Sequence, residues 1–211
     1  MGMAVLLYGG IVVAQIPVEF FVGNKKATAD VMFFKYIKDK KGQPSDFLFF
    51  NRNRASVDYK MTSTTYLPQF GCTEAISYNH KRLHGFAPVV VASILNKGIY
   101  PKVGIQFATI QKSYTVFSWV VAETLHDPNI DFFFLARYTP GISTHSKLFM
   151  QLELVNAFPT VAANSFVFTQ RIRIGIKKEV LQFGAGIDLS QAGNKTFASA
   201  QNWGGFVRYE F

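Results

Sequence analysis

Phe166-Val167-Phe168-Thr169-Gln170-Arg171-Ile172-Arg173-Ile174-Gly175-Ile176 reads as two interleaved rows. Phe166, Phe168, Ile172, Ile174 and Ile176 form one row; Val167, Thr169, Arg171, Arg173 and Gly175 form the other. Successive strand side chains point to opposite faces, so this period of two makes one apolar face and one polar face with two arginines on it. The next segment repeats the pattern. Leu181, Phe183, Ala185, Ile187 and Leu189 alternate with Gln182, Gly184, Gly186 and Asp188. Further upstream, Phe47, Phe49, Ala55, Val57, Tyr59 and Met61 oppose Arg52, Arg54, Ser56, Asp58 and Lys60.

Working outward, turn residues cut the chain at Lys41-Gly42-Gln43-Pro44, Asn96-Lys97-Gly98, His126-Asp127-Pro128-Asn129, Thr139-Pro140-Gly141 and Ala192-Gly193-Asn194. The pieces between them predict strands near 17–23, 27–38, 47–61, 70–79, 86–96, 99–111, 113–124, 130–139, 146–157, 165–177, 179–190 and 203–211. Segments of about ten residues with dyad alternation are the mark of a transmembrane β-barrel. The fold class is therefore all-β, an antiparallel transmembrane β-barrel of about twelve strands. Ten is the alternative, if 17–23 and one weak strand stay unpaired. An even count puts both termini on the periplasmic side. The tight connections at 111–113 and 177–179 fall there too, and the longest one, 191–202, falls outside.

Composition agrees. Of 211 residues, 49% are hydrophobic and 17% charged, and 22 are Phe. That excludes a disordered chain. One cysteine, Cys72, excludes a disulfide scaffold. No run of about 18 apolar residues is free of a charge or break, which excludes helical spans. Cys72 itself reads as a buried small apolar residue.

Residues 3–14 (MAVLLYGGIVVA) have the length of a signal-peptide core, with Val12 and Ala14 at the −3 and −1 positions of a cut before Gln15. No Lys or Arg precedes the run; the other reading is a buried first strand. The expected division is a signal peptide at 1–14 and a single outer-membrane barrel domain at 15–211.

The chain ends Gly205-Phe206-Val207-Arg208-Tyr209-Glu210-Phe211. A terminal Phe211 with Tyr209 and Val207 at alternate positions before it resembles the last-strand signal of Gram-negative outer-membrane barrel proteins. That resemblance implies the cell outer membrane as location and the barrel-assembly machinery as reader of the signal. The signal-peptide end followed by Gln resembles small barrels of Bacteroidota. A final Trp-Gly-Gly-aromatic strand, Trp203 to Phe206, and the strand count are similar to nucleoside-specific channel-forming porins. No substrate residues follow from that similarity.

The charges divide by residue type. Six of seven arginines lie inside predicted strands: Arg52, Arg54, Arg137, Arg171, Arg173 and Arg208. Twelve of fifteen lysines sit at strand ends or turns. A cation on the lipid face at mid-bilayer costs about 2–4 kcal/mol, so six would cost very roughly 12–24 kcal/mol. The arginines are therefore expected to face the lumen or lie near the interfaces. Asp58, Asp131, Glu153, Asp188 and Glu210 are expected to face inward with them, beside Gln106, Gln151 and Gln182. The residues expected to line or select in the lumen are Arg52, Arg54, Asp58, Arg137, Glu153, Arg171, Arg173, Asp188 and Arg208. Inward Phe133, Leu135, Phe149, Val155 and Phe206 argue for a narrow lumen. Inward Gly104, Gly175, Gly184, Gly186 and Gly204 leave room for a solute or for packed side chains. Tyr36, Tyr59, Tyr100, Tyr114, Trp119, Tyr138, Trp203 and Tyr209 are expected in interfacial girdles.

No catalytic constellation, metal site or cofactor site emerges. His145 and Ser146 are adjacent and would point to opposite faces. His80 and His84 lie in a basic connection with Lys81 and Arg82, and His126 lies in a turn. The net charge of +9 suits membrane lipid and lipopolysaccharide better than nucleic acid, because the export signal and barrel pattern put the chain outside the cytoplasm. Three functional readings follow: a narrow channel for small polar or anionic solutes, a plugged structural or surface-interaction barrel, and a soluble periplasmic ligand-binding barrel. The last requires arginines outside and apolar residues inside.

Overall fold

The computed structural model describes residues 16–60, 69–96, 98–125 and 129–211. The expected signal peptide, Met61, Lys97 and the His126–Pro128 turn lie outside them. Twelve strands form: β1 Pro17–Gly23, β2 Lys26–Lys38, β3 Pro44–Asp58, β4 Gln69–Tyr78, β5 Phe86–Leu95, β6 Gly98–Ile110, β7 Tyr114–Glu123, β8 Asn129–Tyr138, β9 Ser146–Pro159, β10 Phe166–Lys178, β11 Leu181–Gly193 and β12 Phe197–Glu210. Each pairs antiparallel with its chain neighbours, and β1 closes the barrel onto β12 through the register Pro17↔Glu210 to Gly23↔Gly204. Twelve strands is thus the count. The short segment 17–23 is the closing strand, which decides against ten.

Period two sets the wall. In β10, Arg173 is 2% exposed and its neighbour Ile174 is 55% exposed. Across the outside, Val90, Ile105, Val120 and Phe20 are all exposed, while Arg208, Glu19 and Glu153 are buried. This is the reverse of the soluble-barrel arrangement. Apolar rows facing out need an apolar surrounding, because exposed contiguous apolar surface of this extent is unfavourable in water.

Aromatics mark both rims of that apolar belt. Tyr36, Phe47, Tyr78, Phe86, Tyr114, Tyr138, Tyr209 and Phe211 are exposed near the rim that holds the C-terminus; Tyr59, Phe70 and Trp203 are exposed toward the other. Two expected girdle members turn inward instead. Trp119 is only 7% exposed, and Tyr100 shares the inward register of Lys102. Counting from strand ends does not reveal facing; the parity of the buried neighbours does. Cys72 also differs from expectation: it is half-buried and on the outward face, two positions from exposed Glu74.

A second correction concerns length. The expected long outer loop at 191–202 is mostly strand, and only residues 194–196 join β11 to β12. Gly193↔Phe197 through Asp188↔Asn202 continue the hairpin. Ser, Ala and Gln on both faces hid the alternation, since a strand end without an apolar row carries no period-two signal.

β12 outruns β1 on that side, and Asn202 closes the seam. Its buried Oδ1 accepts from the amides of Lys25 (2.9 Å) and Lys26 (3.2 Å), and its Nδ2 donates to the Lys26 carbonyl at 3.1 Å. Gly23 faces it: a β-carbon there would stand 2.2 Å from Asn202 Oδ1. Asn202→Ala should destabilise the folded barrel by about 2 kcal/mol, since it strands two backbone donors. The check is a lower urea midpoint for the loss of heat-modifiable gel migration.

Candidate functional site

The interior is built in two unlike sectors. One is aromatic. Phe34 on β2, Leu48 and Phe50 on β3, Phe117 and Trp119 on β7, and Phe133 and Leu135 on β8 form one cluster. Phe50 stacks on Phe117 at 5.4 Å between centroids and an 11° interplanar angle, and Phe34 approaches Phe117 at 4.7 Å. β2 and β3 stand five and four strands from β7 around the wall, so these contacts cross the lumen. A smaller cluster, Phe21, Phe149 and Phe206, fills the space beside β1, β9 and β12.

The other sector is ionic. Arg208 pairs with Glu19; Glu19 with Arg173 Nε at 3.0 Å; Arg173 Nη1 with Asp188 at 2.8 Å; Asp188 with Arg54 at 3.2 Å; Arg54 with Asp30 at 3.0 Å; Asp30 with Arg52; Arg52 Nη1 with Glu153 at 2.8 Å; and Glu153 with Arg171. The result is an unbroken chain of five arginines and four carboxylates. Arg52 on β3 and Glu153 on β9 are six strands apart, half of the twelve-strand circuit, so their bond joins opposite walls. Buried charges need such partners, because each loses its hydration.

Aromatic rings and amides complete the packing. The Arg173 guanidinium lies 4.0 Å from the centre of the Phe21 ring, and that of Arg208 lies 4.8 Å from the Phe149 ring, within cation–π range. Gln151 Oε1 accepts from Arg208 and from Arg137, both at 3.0 Å. Arg137 has no carboxylate partner among the described residues, and its Nη2 is buried without a hydrogen bond. Gly186 gives Arg173 its place: a β-carbon there would stand 2.6 Å from Arg173 Cδ. The inward glycine thus accommodates a packed side chain.

Little space remains. Between Glu19, Asp30, Arg54, Glu153, Arg171 and Arg208 about 10 Å³ is free, at the threshold for one water molecule. Toward the rim that holds Pro17 and Phe211 the lumen opens into a vestibule of about 190 Å³ that includes Arg137, Thr115, Lys177 and Glu210. Lys177 pairs with Glu210 at its edge.

The structure brings Arg52, Arg54, Arg171, Arg173, Arg208, Glu153 and Asp188 into the one chain and places Arg137 beside it. Asp58 stands apart: it lies exposed at the end of β3. Val207 and Tyr209 face outward on β12, and Phe211 is exposed just past it. Glu19 and Asp30, each buried and each bridging two arginines, were missed. Their signal was present: Pro17, Glu19 and Phe21 alternate with Val18, Phe20 and Val22, and Thr28, Asp30 and Met32 with Ala29 and Val31. Buried Lys102, paired with Asp131, was likewise missed. The described histidines lie outside the lumen network. His80 accepts from the Arg82 amide at 3.3 Å, and His145 bonds Thr144 at 2.8 Å.

No family model and no curated protein matches the sequence. Solved structures do match the fold. KdgM porin superposes with a TM-score of 0.51 at 9% identity, over 93% of this chain and 99% of that one. The chain shares the closed antiparallel twelve-strand barrel of that structure. An outer-membrane channel from Pseudomonas putida F1 superposes with a TM-score of 0.51 at 8% identity over the full length of both chains. KdgM porin in complex with disordered oligogalacturonate gives a TM-score of 0.50 at 8% identity, over 93% of this chain. At such identities the likeness extends to the barrel and not to the side chains within it.

Glu153→Gln should cost the barrel about 3–5 kcal/mol, because it leaves Arg52 and Arg171 buried without their shared carboxylate. Adding Arg52→Met should recover part of that loss. Urea unfolding of the wild type, both single variants and the double variant reads the difference.

Proposed function

We propose that the chain is exported by the signal peptide at 1–14, that residues 15–211 reside in the outer membrane as a single barrel, and that this barrel passes small anions through a constriction that is closed in this conformation. One observation carries the reading: the polar sector exists at all. The opposite sector is filled with aromatic rings. Replacing a buried ion network by apolar residues of similar volume is often neutral or stabilising. Five arginines against four carboxylates, with Arg137 next to them facing none, leave the constriction positively charged. A positive ring in a low-dielectric wall favours anions. Arg52, Arg54, Arg171, Arg173 and Arg208 supply the charge, Glu153 and Asp188 hold it in place, and Arg137 faces the vestibule. A neutral nucleoside suits this ring less well than a small anion does.

The barrel shared with KdgM porin and the belt of outward apolar rows support the location. Lysines at the turns meet lipid headgroups and lipopolysaccharide in this reading, and Val207, Tyr209 and Phe211 present the last strand to the barrel-assembly machinery. A second reading, a plugged barrel without transport, is favoured by the 10 Å³ left in the constriction. Nothing in the described interior assembles a nucleophile with a base, so the reading assigns no catalytic role.

Planar-bilayer recording separates the two. The channel reading expects small single-channel steps and an anion-selective reversal potential under a salt gradient. Arg54→Ala with Arg171→Ala should enlarge the steps roughly twofold or more and reduce anion preference. Absence of steps from protein with normal heat-modifiable migration would establish the plugged barrel.

A further inference from the structure

Polar side chains interrupt the outward rows at several places, among them Ser118 on β7 and Gln170 on β10, and one such place carries a carboxylate. Asn51 and Asn53 on β3 share the outward face with Glu74 on β4, in register Asn51↔Glu74. Asn51 Nδ2 donates to Glu74 Oε1 at 3.3 Å, and Asn53 Nδ2 donates to Asn51 Oδ1 at 2.9 Å. Glu74 is exposed. Away from the strand ends it is the only acidic side chain facing outward among the described residues; Glu19, Asp30, Glu123, Asp131, Glu153, Asp188 and Glu210 all face in. Its depth is central. Phe70 and Tyr78, both exposed at the two ends of β4, each stand four residues away.

In the membrane reading proposed above, on which this inference rests, a carboxylate at that depth meets hydrocarbon. Small residues, Ala29, Ala55, Cys72 and Ala92, flank the group on the outward face, alongside the larger Val31, Phe33, Phe49, Ile76 and Ile94. Small residues let two membrane surfaces approach closely, and polar side chains then bond across the contact. The group is also self-complementary. Glu74 has a second oxygen to accept with, and the half-buried Asn53 amide has a second hydrogen to donate, while Asn51 is buried and holds Glu74 in place.

We propose that this face, β2 to β5, is the contact between two copies of the chain in the membrane. A twofold axis along the membrane normal keeps every residue at its own depth, so Glu74 of one copy meets the Asn51 and Asn53 level of the other. The contact is isologous and closes as a dimer. It lies on the outside of the wall, separate from the ionic chain of the lumen.

The lone thiol tests it. Cys72 stands on this face two residues from Glu74, so a dimer brings the two copies of Cys72 close together. The wild-type protein in lipid vesicles, treated with a short membrane-permeable bis-maleimide, should give a covalent dimer on denaturing gels. Cys72→Ser should abolish that band. Glu74→Leu, which keeps Cys72, should reduce it at least tenfold while heat-modifiable migration persists. Native mass spectrometry from lipid nanodiscs should count two copies for wild type and one for Glu74→Leu. An inserted, heat-modifiable wild type that counts as one copy and does not cross-link would overturn the dimer, with Glu74 facing lipid alone. Failure to insert into vesicles would instead overturn the membrane reading.

Discussion

Arg52 reaching Glu153 across the barrel is the contact on which the interior depends. A guanidinium inside a narrow barrel has neither bulk water nor lipid headgroups beside it. It needs a carboxylate within hydrogen-bonding reach, and the carboxylate needs its remaining oxygen satisfied. One pair therefore recruits the next. Glu153 holds Arg171 as well as Arg52, Asp30 holds Arg52 and Arg54, and Glu19 holds Arg173 and Arg208. The chain runs through β12, β1, β10, β11, β3, β2 and β9, so most of the circuit is tied into it.

This constraint explains the division of the lumen. Where arginines enter, their neighbours must be small or flat: Gly186 beneath Arg173, Phe21 and Phe149 against the guanidinium faces. Where no charge enters, aromatic rings from β2, β3, β7 and β8 meet in the middle. The two sectors together leave only a water-sized gap, with the vestibule beyond it on the side of Pro17 and Phe211. Conduction as proposed above depends on side-chain movement within the ionic sector. That sector has alternative partners within reach, because its arginines outnumber its acids. The close-packed aromatic sector has no comparable freedom.

The wall obeys the opposite rule. Outward rows are mostly apolar, closed on themselves without a free edge along the shared height of β1 and β12, and bordered by aromatics. Among the polar side chains that interrupt them, the Asn51–Asn53–Glu74 group stands out by its carboxylate and its depth.

Much of this was legible in the sequence. Period two in Phe166–Ile176 and Leu181–Leu189 marked strands and the inward turn of the arginines, because alternation is a local property of an extended chain; turn residues put the count near twelve, and closure by β1 decided it against ten. The six strand arginines stood apart from the lysines for the same reason. Local alternation fades where both faces carry small polar residues, so the β11–β12 hairpin past Ser190 read as loop. It also says nothing about which inward residues meet. Arg52 and Glu153 are 101 positions apart, and only closure of the barrel by β1 onto β12 sets β3 opposite β9. Sequence by itself determined the faces, since each side chain's direction follows from its neighbours along the strand. The tertiary structure alone decided the pairings, the water-sized gap and the placement of Glu74 at mid-height, because these depend on the circumference and register of the closed sheet.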